Sequence, residues 1–300
     1  MYYTGYNYCK ENNLPFHCLY FAHEESVEKF WITISCDLIK ERYNLDLTYY
    51  QYKGFHPGFT QDHRKALDSI QSEINDLKKC IHVFDYVSNP TGMYKTVQKF
   101  MDTIGKRTDG IIETDDFGNK YQSFEYEFTI PDTQVVVVND HIGLVTPEKN
   151  PYEVIDTVHK AMKKWSEYEV KFIAKKYKCI CVDVHQQEMM SDGAENIRMG
   201  RPEPSIDKLG TNKIIAQNYY VLLGIFNPTR VKPPMANYGG YSMKDFNGHF
   251  RTIHVLKHRD GDEGVIKPMY FHGVSSRYEE LPKPNTTELT TFINKIKKSN

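Results

Sequence analysis

An α/β fold built on a mostly parallel sheet is what this sequence predicts, and three observations predict it. Apolar strand-like runs alternate with segments whose apolar residues recur at helical spacing. One of those runs, Val135-Val136-Val137-Val138, is continuous, the pattern of a strand buried on both faces. Several runs also end in polar residues, as strands do when they surface at a ligand crevice beyond their carboxyl ends.

The elements follow in order. Residues 1 to 13, rich in Tyr, open without a capping signal and read as a helix entered midway, ended by Asn12-Asn13-Leu14-Pro15. Phe16 to Ala22 reads as a strand. His23-Glu24-Glu25-Ser26 follows, then Val27, Phe30, Trp31, Ile34 and Leu38 at helical spacing, so two carboxylates sit at a strand-to-helix junction. After an aromatic, irregular stretch from Leu45 to Gly58, Leu67, Ile70, Ile74 and Leu77 mark a helix and Ile81 to Val87 a strand. Val97, Phe100, Met101 and Ile104 mark a third helix. Between Asp109 and Asp132 the period changes to two, predicting an inserted β-hairpin turning at Asp116-Phe117-Gly118-Asn119 and decorating the surface.

The valine strand then ends at Asp140. Asn150-Pro151-Tyr152-Glu153 carries helix-start signals, so a long helix is expected with Val154, Val158, Met162, Trp165 and Phe172 inward. Its lysines form a basic face, solvated by default. Cys179 to Val184 reads as the next buried strand, followed by His185-Gln186 and a polar loop from Glu188 to Ser205. Tyr219 to Ile225 is a further strand. Arg251 to Leu256 and Val265 to Phe271 form a carboxyl-terminal antiparallel hairpin, and the tail from 274 to 300 reads as peripheral.

Composition narrows the class. With 300 residues, 40% of them hydrophobic, the chain can bury one main core, expected over 1–273. A net charge of −1 gives no global attraction to nucleic acid, so such binding must come from local loops. The six cysteines show neither a Cys-x-x-Cys pair nor a zinc spacing, which points to reduced thiols in a cytoplasm. No apolar run approaches membrane-spanning length, so no membrane partner is expected.

Glu24, Asp140 and Gln186 each follow a strand, so a parallel sheet would bring them to one crevice. Hydrolysing a γ-phosphate needs a carboxylate that deprotonates water, a carboxylate for the metal, and an amide that couples the site to another ligand. The bland reading of the valine strand alone is an ordinary core strand with a polar end.

Tyr20-Phe21-Ala22-His23-Glu24, Val138-Asn139-Asp140-His141-Ile142-Gly143-Leu144, Val184-His185-Gln186, Arg201-Pro202, Ile215-Ala216-Gln217-Asn218 and Leu256-Lys257-His258-Arg259-Asp260-Gly261 occur in this order. The set resembles the RecA-like motor domain of replicative hexameric DNA helicases of the DnaB type, phage versions especially. The resemblance implies a RecA-like sheet, ATP and Mg²⁺ as cofactors, and an ATP-dependent helicase translocating on single-stranded DNA within a homo-oligomeric ring, expected to be a hexamer. It implies Glu24 as catalytic base, Asp140 as the Walker B carboxylate holding Mg²⁺ through water, and Gln186 as the sensing amide. Lys257 and Arg259 would reach into the neighbouring subunit's site; read from the residues alone they are ordinary cations on a hairpin turn. Lys149, Arg198 and Arg201 are candidates for DNA phosphate contacts, each equally readable as a solvated charge.

The family's phosphate loop, Gly-x-x-x-x-Gly-Lys-Ser/Thr, is not found in this sequence, and Gly105-Lys106-Arg107-Thr108 fails the pattern. The expectation is therefore a chain truncated at its amino end, with a separate segment carrying the Walker A loop as a partner, acting in a bacterial cytoplasm as a phage protein. The alternative is a RecA-like ring subunit or single-stranded-DNA-binding subunit that does not hydrolyse ATP; a recombinase or clock-type ring is a third reading.

Overall fold

In a computed structural model of the chain the described residues are 2–114, 120–149, 153–186, 202–231, 233–273 and 277–299. They group into two compact units, Met1–Gln186 and Gln187–Asn300, each described by itself.

The first unit runs α1 (Tyr2–Glu11), β1 (Phe16–Ala22), α2 (Val27–Tyr43), α3 (Tyr49–Tyr52), α4 (Gln61–Cys80), β2 (Ile81–Phe84) and α5 (Pro90–Ile104). It continues with β3 (Gly105–Thr114), β4 (Lys120–Phe128), β5 (Gln134–Asp140), β6 (Glu148–Lys149), β7 (Val154–Ile155), α6 (Val158–Tyr168) and β8 (Ile180–Asp183). Its sheet has the order β2-β1-β5-β8 with every pairing parallel. β1 is buried at every position but His17, as a central strand covered on both faces must be.

Alternation along β1 divides the core. Cys18, Tyr20 and Ala22 pack with Phe30, Ile34, Leu38, Ile70 and Leu77 from α2 and α4. On the other face Phe21 meets Trp165 of α6 edge-on at 5.7 Å, and His17 meets Phe100 of α5 at 5.2 Å. The helices start where local chemistry lets them. Ser26 caps α2 by accepting from Lys29 N–H, Thr60 and His63 form a reciprocal capping box on α4, and Pro90 opens α5. Asn44, left-handed at φ 53°, ends α2 by donating its N–H to Lys40 O.

The β3–β4 hairpin forms as the period-two pattern predicts, while the turn at 116–119 lies outside the described residues. It is anchored as well as exposed: Tyr126 is buried and its hydroxyl donates to Met101 O at 2.6 Å. Gly105 is required at the junction, because a Cβ there would collide with the Tyr126 hydroxyl and the Glu127 carbonyl.

Two expectations are corrected here. The helix predicted to start at Pro151 begins at Val158, capped by Thr157. Asn150, Pro151 and Tyr152 lie outside the described residues, while Val154, expected inward, is an exposed residue of β7, and Val158 is exposed too. Thr157 supplies the local cap that Asn150 does not, since its side chain reaches Lys160 N–H in the first turn. The strand read as buried from Cys179 to Val184 is shorter, and its Ile180 is 54% exposed with Val184 at 42%. It lies at the sheet's rim, covered on one side only.

The second unit contains α7 (Lys213–Asn218), β9 (Val221–Phe226), β10 (Asn237–Tyr238), β11 (Tyr241–Ser242), β12 (Phe250–His258), β13 (Ile266–His272), β14 (Arg277–Glu280) and α8 (Thr287–Ser299). Its main sheet is antiparallel, in the order β14-β13-β12-β9. β12 and β13 are the predicted hairpin. The segment from 274, read in the sequence as a peripheral tail, supplies β14 and α8, and Leu289 and Ile296 are buried with Tyr241, Phe246, Phe250 and Tyr270.

Candidate functional site

The register between β1 and β5 decides what meets at the carboxyl end of the parallel sheet. Ala22 lies beside Asp140 and Phe21 beside Asn139, and Asn139 lies beside Asp183 of β8. Pairing partners share a face, so Tyr20 and Asp140 lie toward α2, and Phe21, Asn139 and Asp183 lie toward α6. The ladder runs one step beyond the strands. His23 N–H donates to Asp140 O at 2.9 Å, Val184 N–H to Asn139 O at 3.0 Å, and Ile142 N–H to Val184 O at 2.9 Å. Those bonds hold the three exit segments side by side, which brings Glu24, His141 and Gln186 together.

Glu24 is where they meet. His141 Nε2 lies 2.9 Å from Glu24 Oε1, and Gln186 Nε2 donates to the same oxygen at 3.4 Å. His141 Nδ1 accepts from Gly143 N–H at 3.1 Å, so the ring proton belongs on Nε2 and a neutral His141 already donates to Glu24. Both donors converge on Oε1, which leaves Oε2 for a water; the Glu24 side chain is 51% exposed. Asp140 Oδ2 accepts the Tyr20 hydroxyl at 2.5 Å, a charge-assisted bond that fixes the carboxylate and leaves Oδ1 for another ligand. The Asp140–His141 peptide is cis.

The surroundings set the electrostatics. Burial raises the Glu25 carboxyl, Lys29 at 3.7 Å opposes that, and the Asp140 and Glu24 carboxylates reinforce it. Burial lowers the His23 imidazole, against the opposing bond to Asn139 Oδ1 at 2.8 Å. Beneath the site lies a second acid pair. Glu169, buried in a π-helical turn at Glu169–Ala174, is pushed well above the carboxylate range by burial and then by the Asp183 carboxylate. Trp165 Nε1–H donates to Asp183 Oδ1 at 3.2 Å.

The structure thus brings Glu24, Asp140 and Gln186 together. Lys149 is exposed on β6, and Arg198 and Arg201 lie outside the described residues. Lys257 and Arg259 belong to the second unit, where they bond the carboxyl-terminal carbonyls of α7: Lys257 Nζ to Ala216 O and Gln217 O at 2.9 Å each, Arg259 to Gln217 O at 3.0 Å. Sequence reasoning missed Tyr20, His141 and the Glu169–Asp183 pair. Tyr20 and Asp140 do stand on one face by period two once the strands are paired, but that pairing is not written in either strand alone.

The residues fit one cofactor better than the other. Among the described residues no group of three or more His, Cys, Asp or Glu forms a metal cage. Magnesium needs none, since it is held by one or two carboxylates, waters and phosphate oxygens, and Asp140 suits that role. A triphosphate does not fit. The strands end in Asp85, Glu24, Glu25, Asp140 and Asp183, and the nearby Lys29 is paired with Glu25.

No protein-family profile matches the sequence, and no curated protein is similar to it in sequence. Among solved structures the ATPase domain of a DnaB-family helicase superposes with a TM-score of 0.61 at 12% identity, over 91% of this chain and 76% of that one. The RadB recombinase matches over 89% of this chain and 80% of its own, at 11% identity and a TM-score of 0.39. The fold is RecA-like: a parallel sheet between helices, with an antiparallel sheet in the carboxyl-terminal part.

Proposed function

We propose that this chain is a nucleotide-hydrolysing motor subunit of the DnaB helicase type, working with Mg²⁺ and ATP at the interfaces of a homo-oligomeric ring on single-stranded DNA. The observation that carries the proposal is the convergence on Glu24 of His141 and Gln186, beside Asp140, at the carboxyl ends of a parallel sheet. The likeness of fold to a helicase ATPase domain supports the same class.

In this reading Glu24 removes a proton from a water placed against Oε2. His141 and Gln186 hold the carboxylate by its other oxygen, so its orientation is set before the water arrives. Gln186 also connects Glu24 to the loop that begins at 187, so a ligand on that loop can move the base. Asp140, held by Tyr20, would hold magnesium through a water, and the metal when bound would neutralise charge on phosphate oxygens. Lys257 and Arg259 are proposed to serve a neighbouring subunit's site, for which they must leave the α7 carbonyls. Lys149, Arg198 and Arg201 are proposed as DNA phosphate contacts, and residues 1–273 as one motor core.

The test is ATP hydrolysis and unwinding of forked DNA by the assembled ring. Glu24→Gln should abolish hydrolysis and spare nucleotide binding; retained turnover would sink the assignment. Hydrolysis without strand separation would favour a recombinase-like ATPase. A second reading is favoured by the misfit of the triphosphate: a ring subunit that binds single-stranded DNA without hydrolysis. DNA binding indifferent to ATP and to Asp140→Ala would support it.

A further inference from the structure

The parallel sheet of the first unit has an open edge beside the site. Val184 uses both its backbone groups on β5, giving its N–H to Asn139 O and its carbonyl to Ile142 N–H. Alternation along a parallel strand then turns the N–H and C=O of Cys181 and Asp183 outward. Among the described residues no strand pairs with that side of β8. The rim carries Ile180 and Val184, both largely exposed, in place of the lysines, prolines or bulges that protect an edge from pairing.

The second observation is charge. Every strand of this sheet runs into an acid: Asp85 after β2, Glu24 and Glu25 after β1, Asp140 closing β5 and Asp183 closing β8. A polyphosphate is held by backbone N–H groups and cations. An acidic rim repels it.

Resting on the ATPase reading, we propose that the outer edge of β8 receives a parallel strand from a segment outside residues 1–300, and that this strand runs into a glycine-rich, lysine-bearing loop over the acidic rim. Because the sheet is parallel, an added strand with valine-type side chains ends at the same rim as β1 and β5, which delivers its following loop to the acids. Pairing supplies the backbone bonds, Ile180 and Val184 the apolar contact, and the loop the positive charge that the rim lacks. The occupant is therefore an apolar strand followed by a basic, glycine-rich loop, not a second copy of β8.

The test uses the full chain with a synthetic peptide comprising a valine-rich strand, the loop Gly-x-x-x-x-Gly-Lys-Thr and a short helix. Peptide docking is read by fluorescence anisotropy and Mg²⁺·ATP binding by calorimetry. The chain alone should bind Mg²⁺·ATP weakly, and saturating peptide should tighten it at least about tenfold, roughly the worth of one charge-assisted bond. A peptide with its lysine replaced by alanine should dock equally well without tightening ATP. Ile180→Lys, and independently Val184→Lys, should weaken docking at least about tenfold while leaving the chain's thermal unfolding in place. Tight ATP binding by the chain alone would overturn the proposal and leave the ATPase reading standing, as would failure of the peptide to dock or docking indifferent to both lysine variants. Docking at the edge with no gain in ATP binding would keep the edge site and overturn the nucleotide reading.

Discussion

Tyr20→Phe removes one hydroxyl and nothing else from the floor of the site. The ring stays packed on Phe30 at 4.7 Å, so no cavity opens. What is lost is the 2.5 Å bond to Asp140 Oδ2. Hydrogen bonds to charged groups contribute about 1.5–3 kcal/mol, and Asp140 is partly open to solvent, which places the loss near the lower end, about 1.5–2 kcal/mol. With a urea slope of about 2–3 kcal/mol/M, the unfolding midpoint should fall by about 0.5–1 M at neutral pH. The control is a double-mutant cycle. In an Asp140→Asn background the same substitution should cost less than about half as much, because the charged acceptor is gone. An unchanged midpoint, or equal losses in both backgrounds, would refute the register that sets Asp140 over Tyr20, and with it the geometry of the site.

Other predictions rest on different parts of the fold. Glu169 is held above the ordinary carboxylate range by burial and Asp183, so above the unfolded pKa of about 4.3 the folded chain keeps a proton that the unfolded chain releases. Stability from this group is full below that pH and declines as pH rises toward the folded pKa. Glu169→Gln keeps a donor for Asp183 without the proton, so wild-type stability relative to the variant should fall with rising pH in urea titrations, and a constant difference would contradict this. His17 and His82 pack on Phe100 and burial lowers both imidazoles, His82 to about 4. Their folded pKa values are depressed, so the associated stability is present above about pH 6.5 and lost as pH falls toward 4; His82→Leu should flatten that acid limb by roughly 2 kcal/mol, after discounting for partial exposure. Gly105→Ala should destabilise the chain by about 1–3 kcal/mol through collision with Tyr126 and Glu127, and a neutral result in thermal unfolding would show that the hairpin is not anchored there.

Much of the first unit is legible in the residues because its signals are local. Phe16 to Ala22 and Val135 to Val138 announce buried strands by unbroken apolar character, and Ala66, Ile70, Ile74 and Leu77 announce the buried face of α4 by spacing. The start of α6 was misread because Asn150-Pro151-Tyr152-Glu153 is a sound local motif, whereas the helix takes its cap from Thr157 after a short β6–β7 ladder. The site was half legible. Glu24, Asp140 and Gln186 follow strands, so a parallel sheet gathers them. Tyr20, His141 and Glu169 act through partners 120, 117 and 14 positions away in the chain, Asp140, Glu24 and Asp183, and no local pattern encodes such pairings. The rim position of β8 is equally non-local: Ile180 and Val184 look like core residues until the strand order is known.

The most direct test of the central claim is the rate of ATP hydrolysis by the full chain in the presence of Mg²⁺ and the strand–loop peptide, wild type beside Glu24→Gln. The account predicts turnover that requires the peptide and falls at least about a hundredfold in the variant, the range expected when a general base is removed, with ATP binding retained. Equal turnover in the two proteins, or none in the wild type despite bound peptide and bound ATP, would contradict it.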